Sequence, residues 1–168
     1  MSTMTIPTDE FLHHLAGQLG DRLLQTRQQL ACAESCTGGF VSKVVTDIAG
    51  SSQWFERGFI TYTNQAKAES LGVPSETIAE NGAVSEATAR AMAAGALRHS
   101  QASVSLAVTG IAGPGGGSLD KPVGTVWFAW ASREEGVDAE MQQFLGDRDA
   151  VRRQAVAHAL QGVLNRLG

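Results

Sequence analysis

Apolar residues recur along this chain in two periods that alternate from one segment to the next. Spacings of three and four residues are typical of amphipathic helices, whereas short apolar runs and strict alternation are typical of strands. The helical pattern covers residues 8–29, 37–48, 64–71, 85–98 and 148–167, and the strand pattern covers residues 30–33, 55–63, 104–109, 123–131 and 137–144. The chain is therefore predicted to contain five helices and five strands.

The order of these segments predicts the fold class. Helices and strands interleave over most of the chain, which favours parallel strands, and the last two strands are close enough to pair as a hairpin. We expect a three-layer α/β/α sandwich on a mixed, mainly parallel sheet of about five strands. The length of 168 residues predicts one domain over residues 1–168, with residues 1–7 as a flexible N-terminus.

Composition and charge argue against several kinds of partner. The 17 acidic residues outnumber the 13 basic ones and no basic cluster occurs, so we expect no nucleic-acid partner. There is no apolar run of roughly 18 residues and no secretory signal, which predicts a cytoplasmic protein without a membrane partner. Cys32 and Cys36 are the only cysteines, and no histidines stand at metal-ligand spacing, so we expect no metal site.

Two loops are candidates for the functional site, because ligands of open α/β folds bind at the carboxyl ends of the strands. They are A-E-S-C-T-G-G at residues 33–39 and G-I-A-G-P-G-G-G-S at residues 110–118. The second does not match G-x-G-x-x-G and precedes a strand, so a nucleotide cofactor is a minor alternative and we expect none. Its glycines could leave backbone N–H groups free for an anion or an oxyanion, or form a flexible connection.

Ser35 is the first candidate for chemistry. Taken alone it is best interpreted as a helix N-cap, but at a strand-to-helix turn it could also be a nucleophile. A serine nucleophile needs a base, and neither a histidine nor an S-x-x-K arrangement supplies one. The remaining source is T-Y-T-N-Q-A-K, which contains Tyr62 and Lys67. A lysine in an apolar pocket can act as a base, although a strand-end tyrosine and a surface lysine are the plainer interpretation.

Cys36 is a competing nucleophile, because a helix N-terminus lowers the pKa of a thiol. Consecutive residues of a helix point about 100° apart, so one of Ser35 and Cys36 can face a pocket while the other packs inward. Two buried thiols are the plainer interpretation of the cysteines in a reducing compartment. The residues alone leave this choice open.

Five blocks of the sequence closely resemble the CinA C-terminal-domain family and run from about residue 8 to the C-terminus. They are A-E-S-C-T-G-G, T-D-I-A-G-S-S-Q-W-F-E-R-G-F-I-T-Y-T-N-Q-A-K, N-G-A-V-S-E, T-G-I-A-G-P-G-G-G-S-L-D-K-P-V-G-T-V-W-F-A and F-L-G-D-R-D-A-V-R-R-Q. The resemblance implies an α/β/α sandwich on a mixed five-stranded sheet, similar to anticodon-binding domains. It also implies a metal-independent bacterial amidohydrolase that converts nicotinamide mononucleotide to nicotinate mononucleotide and ammonia, in pyridine nucleotide salvage.

By this resemblance, the family's catalytic serine, tyrosine and lysine correspond to Ser35, Tyr62 and Lys67. The expected mechanism has Ser35 as the nucleophile and Tyr62 with Lys67 as its base, the lysine taking the proton directly or through the tyrosine. The expected contacts with the substrate, including its oxyanion and 5′-phosphate, come from the two loops and from nearby cations. They are Thr37, Gly38, Gly39, Asn64, Thr109, Gly110, Ala112, Gly113, Lys121 and Arg148. For Arg148, which follows Asp147, a structural role at a helix start is an equal alternative.

Two further expectations concern the protein as a whole. A homodimer is expected if Trp54, Phe55 and Trp127 are exposed and cluster. A non-catalytic nucleotide-binding or interaction module of the same family is the alternative to an enzyme, and intact Ser35, Tyr62 and Lys67 argue against it.

Overall fold

The structure is a computed structural model that describes residues 5–168, and these residues contain six α-helices and five strands. In chain order the elements are α1 (Asp9–Gln25), β1 (Leu30–Glu34), α2 (Phe40–Thr46), a 3₁₀ turn (Ser51–Gln53), β2 (Phe55–Ile60), α3 (Asn64–Leu71), α4 (Ser75–Asn81), α5 (Glu86–Arg98), β3 (Val104–Gly110), β4 (Thr125–Ser132), β5 (Gly136–Gln143) and α6 (Arg148–Arg166).

All five strands belong to one sheet with the order β2-β1-β3-β4-β5. The strand β1 is parallel to both of its neighbours, and Ala33 lies opposite Phe59 of β2 and Ala107 of β3. The strand β4 runs antiparallel to β3 and to β5, so β5 points in the same direction as β3. The expected α/β/α sandwich on a mixed sheet is confirmed, with the reversed strand next to the end.

The two faces of the sheet carry side chains of different size, and this difference sets the two helical layers. Large apolar residues of β3 and β4, such as Leu106 and Phe128, pack under α1, α2 and α6. The opposite face is mostly alanine, including Ala107 and Ala129, and it packs against α3, α4 and the alanine-rich α5. Because alanine adds little thickness, α5 can lie close to the sheet.

Several boundaries differ from the expected ones for local reasons. The helix α2 begins at Phe40 instead of residue 37, because Gly38 and Gly39 take positive φ angles of 57° and 102° and form a turn. The short helix α4 was not predicted, since Ile78 is its only buried residue and no apolar repeat marks it. The strand β2 ends at Ile60, and residues 61–63 lead into α3.

The expected exposed aromatic cluster is wrong. Trp54 is only 2% exposed and packs in the core beside α1. Phe55 and Trp127 are half-buried on opposite faces of the sheet, so the three aromatic residues cannot form one patch. The argument for a homodimer from these three residues therefore fails, and the homodimer stays a prediction.

Two other expectations concern the chain ends and the membrane. Of the predicted flexible N-terminus, residues 1–4 lie outside the described residues, while the carbonyl of Pro7 accepts a hydrogen bond from Arg153. Across residues 5–168, no helix is both long and apolar enough to cross a bilayer.

Two glycines of α1 provide a matched test of how Trp54 packs against this helix. A Cβ atom at Gly20 would lie 2.5 Å from Cε2 of Trp54, whereas the nearest atom to a Cβ at Gly17 is 4.0 Å away. We expect Gly20→Ala to destabilise the fold by about 1–3 kcal/mol through overpacking. Gly17→Ala should stabilise it by about 0.4–1 kcal/mol by restricting the unfolded chain. Urea unfolding of both variants measures this, and equal effects would contradict the packing of Trp54 on α1.

Candidate active site

A pocket with a volume of about 270 Å³ opens where the carboxyl ends of β1, β2 and β3 meet at one edge of the sheet. Ser35 follows β1 directly and Tyr62 follows β2. Arg148 begins α6 after β5, which returns to the same edge because β4 is reversed. The remaining walls come from the start of α3, residues 83–84 and the glycine loop (residues 110–118).

Ser35 and Lys67 form a direct pair at the base of this pocket. Lys67 Nζ donates a hydrogen bond to Ser35 Oγ over 2.8 Å, and both side chains are buried. The ammonium group also donates to the backbone carbonyls of Thr61 at 3.0 Å and of Tyr62 at 3.5 Å. These carbonyls belong to the segment that joins β2 to α3, so the segment aims the lysine at the serine.

Burial changes the acidity of Lys67. The side chain is only 1% exposed, and desolvation lowers its pKa from the ordinary value of 10.5. In the part of the chain that the structure describes, no carboxylate lies within salt-bridge distance of its Nζ. A lysine without a counter-ion in such a place loses its proton more readily than a surface lysine, as a general base requires.

The turn that carries Ser35 is held in place by hydrogen bonds to Glu34, the last residue of β1. We call residues 35–39 the serine turn. The buried Glu34 carboxylate accepts hydrogen bonds from the amides of Gly39, Val41 and Ser42 and from the hydroxyls of Thr37 and Ser42, at 2.7–3.2 Å. It therefore caps the N-terminus of α2, where an anion is favoured. Ser35 is not the cap of α2, so its hydroxyl is free to pair with Lys67.

Cys36 lines the pocket beside Ser35, but its thiol is held in the protonated form. Burial raises the pKa of the Cys36 thiol to about 12, and the nearby charge of Arg152 only partly opposes this effect. Burial likewise raises the pKa of Cys32 well above its ordinary value. Because the thiolate is the nucleophilic form, the surroundings of Cys36 disfavour nucleophilic chemistry at its sulfur.

The Tyr62 hydroxyl bonds to Arg148 and not to the Ser35–Lys67 pair. The tyrosine is 57% exposed, and its hydroxyl accepts a hydrogen bond from Arg148 Nη2 at 2.9 Å. The same guanidinium donates through Nη1 to the carbonyl of Gly113 at 2.7 Å. Arg148 thus joins the tyrosine to the glycine loop across the mouth of the pocket.

Comparison with known proteins identifies the family. A family model for the CinA C-terminal domain matches residues 12–167. The chain belongs to this family. The resemblance seen in the five sequence blocks is therefore confirmed.

Relatives of this CinA domain include enzymes and a solved structure. The nicotinamide-nucleotide amidohydrolase PncC of Escherichia coli (strain K12) is 57% identical over 92% of this chain and 93% of its own. The protein of the same name from Pseudomonas putida is 49% identical, over 89% and 93% respectively. The crystal structure of the competence/damage inducible protein CihA from Agrobacterium tumefaciens has a TM-score of 0.90 and 43% identity, covering 97% of this chain and 98% of that one.

The CinA domain brings most of the expected substrate contacts to the pocket. The residues that line it are Asn64, Thr109, Gly110, Ala112, Gly113 and Arg148. Lys121 does not line it, because its ammonium group extends to the carbonyl of Asn81 at 3.1 Å.

Thr37, Gly38 and Gly39 also lie outside the lining. The amides of Gly38 and Gly39 donate to the Ser35 carbonyl and to Glu34. These three residues therefore shape the serine turn, and the expectation that they contact substrate is not supported by their positions.

Two residues of this CinA domain support the site without having been predicted. Glu34 could have been found as a carboxylate ending an otherwise apolar strand, just before the two glycines of the turn. Arg152 donates to the carbonyls of Cys36 and Thr37, but it lies 116 residues from Cys36 in sequence. No local pattern connects such distant residues.

Replacing Glu34 with glutamine tests the cap of α2 in the CinA domain. An amide group in place of one oxygen would face the N–H groups that the carboxylate now accepts. We expect Glu34→Gln to destabilise the fold by about 2–3 kcal/mol, since a buried donor loses its acceptor. The control Asp47→Asn, in an exposed pair with Lys43, should change stability by less than about 1 kcal/mol. Chemical denaturation compares the two variants, and a neutral Glu34→Gln would contradict the assigned role.

Proposed function

We propose that this chain hydrolyses the carboxamide of nicotinamide mononucleotide to give nicotinate mononucleotide and ammonia. Ser35 is the nucleophile and Lys67 the base of this proposal. The observation that carries it is the buried Lys67 Nζ at 2.8 Å from Ser35 Oγ. The substrate is proposed from the relatives named nicotinamide-nucleotide amidohydrolase, which cover almost the whole chain.

The first step is attack on the amide. With its pKa lowered by burial, Lys67 takes the proton of the Ser35 hydroxyl as Oγ bonds to the carbonyl carbon. The positive charge of the pyridinium ring makes this carbon more electrophilic. The resulting oxyanion needs donors, and the amides of Ala112 and Gly113 are suitable because they line the pocket and donate to no other residue within 5–168.

The second half of the reaction releases both products. The Lys67 ammonium returns its proton to the departing nitrogen, so ammonia leaves and nicotinate remains esterified to Ser35. Lys67 then takes a proton from water, whose oxygen attacks the ester carbon and releases the carboxylate and the free serine hydroxyl. One water is consumed for each amide, and no metal or cofactor takes part in the proposed steps.

Arg148 and the glycine loop are the proposed binding site for the 5′-phosphate of the substrate. The guanidinium lies at the mouth of the pocket, and glycine-rich backbone can approach an anion closely. Tyr62, whose hydroxyl is bonded to Arg148, is proposed to contact the substrate and not to carry the serine proton. This modifies the expectation that Tyr62 and Lys67 act together as the base.

The non-catalytic alternative has weaker support. Burying a lysine without a counter-ion lowers the stability of the fold. A binding module would gain nothing from this cost, whereas a general base requires it. The buried Lys67 beside Ser35 therefore favours an enzyme.

Separate alanine variants distinguish the two possible nucleophiles. Ser35→Ala should lower kcat for nicotinamide mononucleotide by at least about 10³-fold, as removal of a covalent nucleophile does. Cys36→Ala should keep kcat within about threefold, since its protonated thiol takes no part. Ammonia release at neutral pH with EDTA present measures both. Full turnover by the serine variant, or a requirement for added metal, would contradict the proposed mechanism.

Lys67→Met tests the base and separates activity from stability. We expect loss of turnover, but at pH 7 a fold at least as stable as the unaltered one, because a buried lysine is replaced by an apolar side chain of similar length.

The difference in stability between the unaltered protein and Lys67→Met should change with pH in one direction. The pKa of Lys67 is lower in the folded than in the unfolded chain, so the unfolded chain binds more protons between these two values. The unaltered protein therefore gains stability relative to Lys67→Met as pH rises through this window, and its kcat/KM rises as Lys67 deprotonates. Thermal unfolding and rate profiles measure both trends, with the exposed Lys43→Met as control. A difference independent of pH would contradict the assignment.

A further inference from the structure

Two arginines one turn apart on α6 reach the edge of the sheet where Ser35 lies. Arg148 contacts Tyr62 and the glycine loop, as described above. Arg152 instead contacts the serine turn: its Nε donates to the carbonyl of Cys36 at 3.2 Å and its Nη2 to the carbonyl of Thr37 at 2.9 Å. The turn is thus held on its amide side by Glu34 and on its carbonyl side by Arg152.

We propose that Arg152 is a positioning residue for the nucleophile, acting on Ser35 through the two carbonyls that follow it. This inference rests on the proposed function, because it assigns Arg152 a part in the reaction of Ser35. Each peptide unit is planar, so fixing the carbonyls of Cys36 and Thr37 also fixes the amides of the next residues. The backbone after Ser35 then has little freedom to move the hydroxyl away from Lys67.

The side chain of Arg152 is itself well oriented for this task. Its guanidinium carbon lies 5.8 Å from the centre of the Phe40 ring, a cation–π contact at the start of α2. A planar guanidinium can span two acceptors at once, whereas the ammonium group of a lysine cannot reproduce this fork. The charge also reaches the turn, since it acts on the Cys36 thiol. Geometry and charge therefore both favour arginine at this position.

Arg153 provides a matched control, because it is adjacent on α6 and similarly close to the same ring. Its guanidinium carbon lies 5.7 Å from the Phe40 centre. Its hydrogen bonds, however, go to Asp9, Asp149 and the carbonyl of Pro7, and not to the serine turn. Loss of Arg153 therefore removes a comparable charge and ring contact while leaving the turn untouched.

The test compares Arg152→Ala, Arg152→Lys and Arg153→Ala in the turnover of nicotinamide mononucleotide. A nucleophile displaced by about 1 Å can cost about 10²-fold in rate. We expect Arg152→Ala to lose about 10²-fold in kcat with KM within about threefold. The kcat of Arg152→Lys should be nearly as low, because lysine cannot replace the guanidinium. Arg153→Ala should keep the unaltered kcat. Methylguanidinium in the assay should restore part of the rate of Arg152→Ala, which a globally damaged fold would not allow. A kcat of Arg152→Ala within twofold of the unaltered value, or a loss in KM alone, would overturn the inference.

A second measurement separates failure of this inference from failure of the proposed function. Phenylmethylsulfonyl fluoride labels reactive serines, and mass spectrometry gives its rate of reaction at Ser35 without any amide substrate. We expect labelling at least about tenfold slower in Arg152→Ala than in Arg153→Ala. If nicotinamide mononucleotide is not hydrolysed but this difference appears, the proposed substrate fails and the positioning role stands. Equal labelling in both variants overturns the positioning role, and no labelling of Ser35 together with no turnover in the unaltered chain overturns both.

Discussion

The carboxylate of Glu34 is the constraint on which the candidate site depends. It is fully buried at the end of β1, and its five hydrogen bonds come from neutral amides and hydroxyls of the serine turn and of α2. A buried charge is tolerated only when its acceptor sites are filled, so the backbone after β1 must curve around the two oxygens. This curvature places Ser35 at the base of the pocket and not at the start of the helix.

The same arrangement explains how Lys67, a second buried ionisable group close to Glu34, can have a lowered pKa. Lys67 donates a hydrogen bond to Ser35 Oγ, and a free carboxylate beside it would hold its proton and raise its pKa. Glu34 instead directs its oxygens to the amides of α2, and backbone dipoles, not a cation, compensate its charge. Glu34 therefore does not act as a counter-ion of the proposed base, Lys67, although both side chains contact the serine turn.

The parts of this site that could be predicted from the sequence are those encoded locally. The alternating pattern placed Ser35 and the glycine loop after parallel strands, and strands of that kind bring their carboxyl ends together. Contacts made by distant side chains left no local signal. The fork of Arg152, the turning of the Tyr62 hydroxyl to Arg148 and the diversion of Lys121 to Asn81 each depend on how the layers pack. Burial of Trp54 was missed because its partner, Gly20, lies on α1, far from it in the sequence.

The reversed strand β4 has a consequence for the order in which the site can be completed. Because β4 turns the chain back, α6 returns to the edge occupied by Ser35. Arg152, which lies 116 positions after Cys36, can therefore hold the serine turn. Ser35 and Lys67 emerge early during synthesis, yet the arginines that surround them emerge only with the last helix. A nascent chain therefore carries the serine and the lysine without the frame that holds them, and assembly of the site is tied to completion of the sheet.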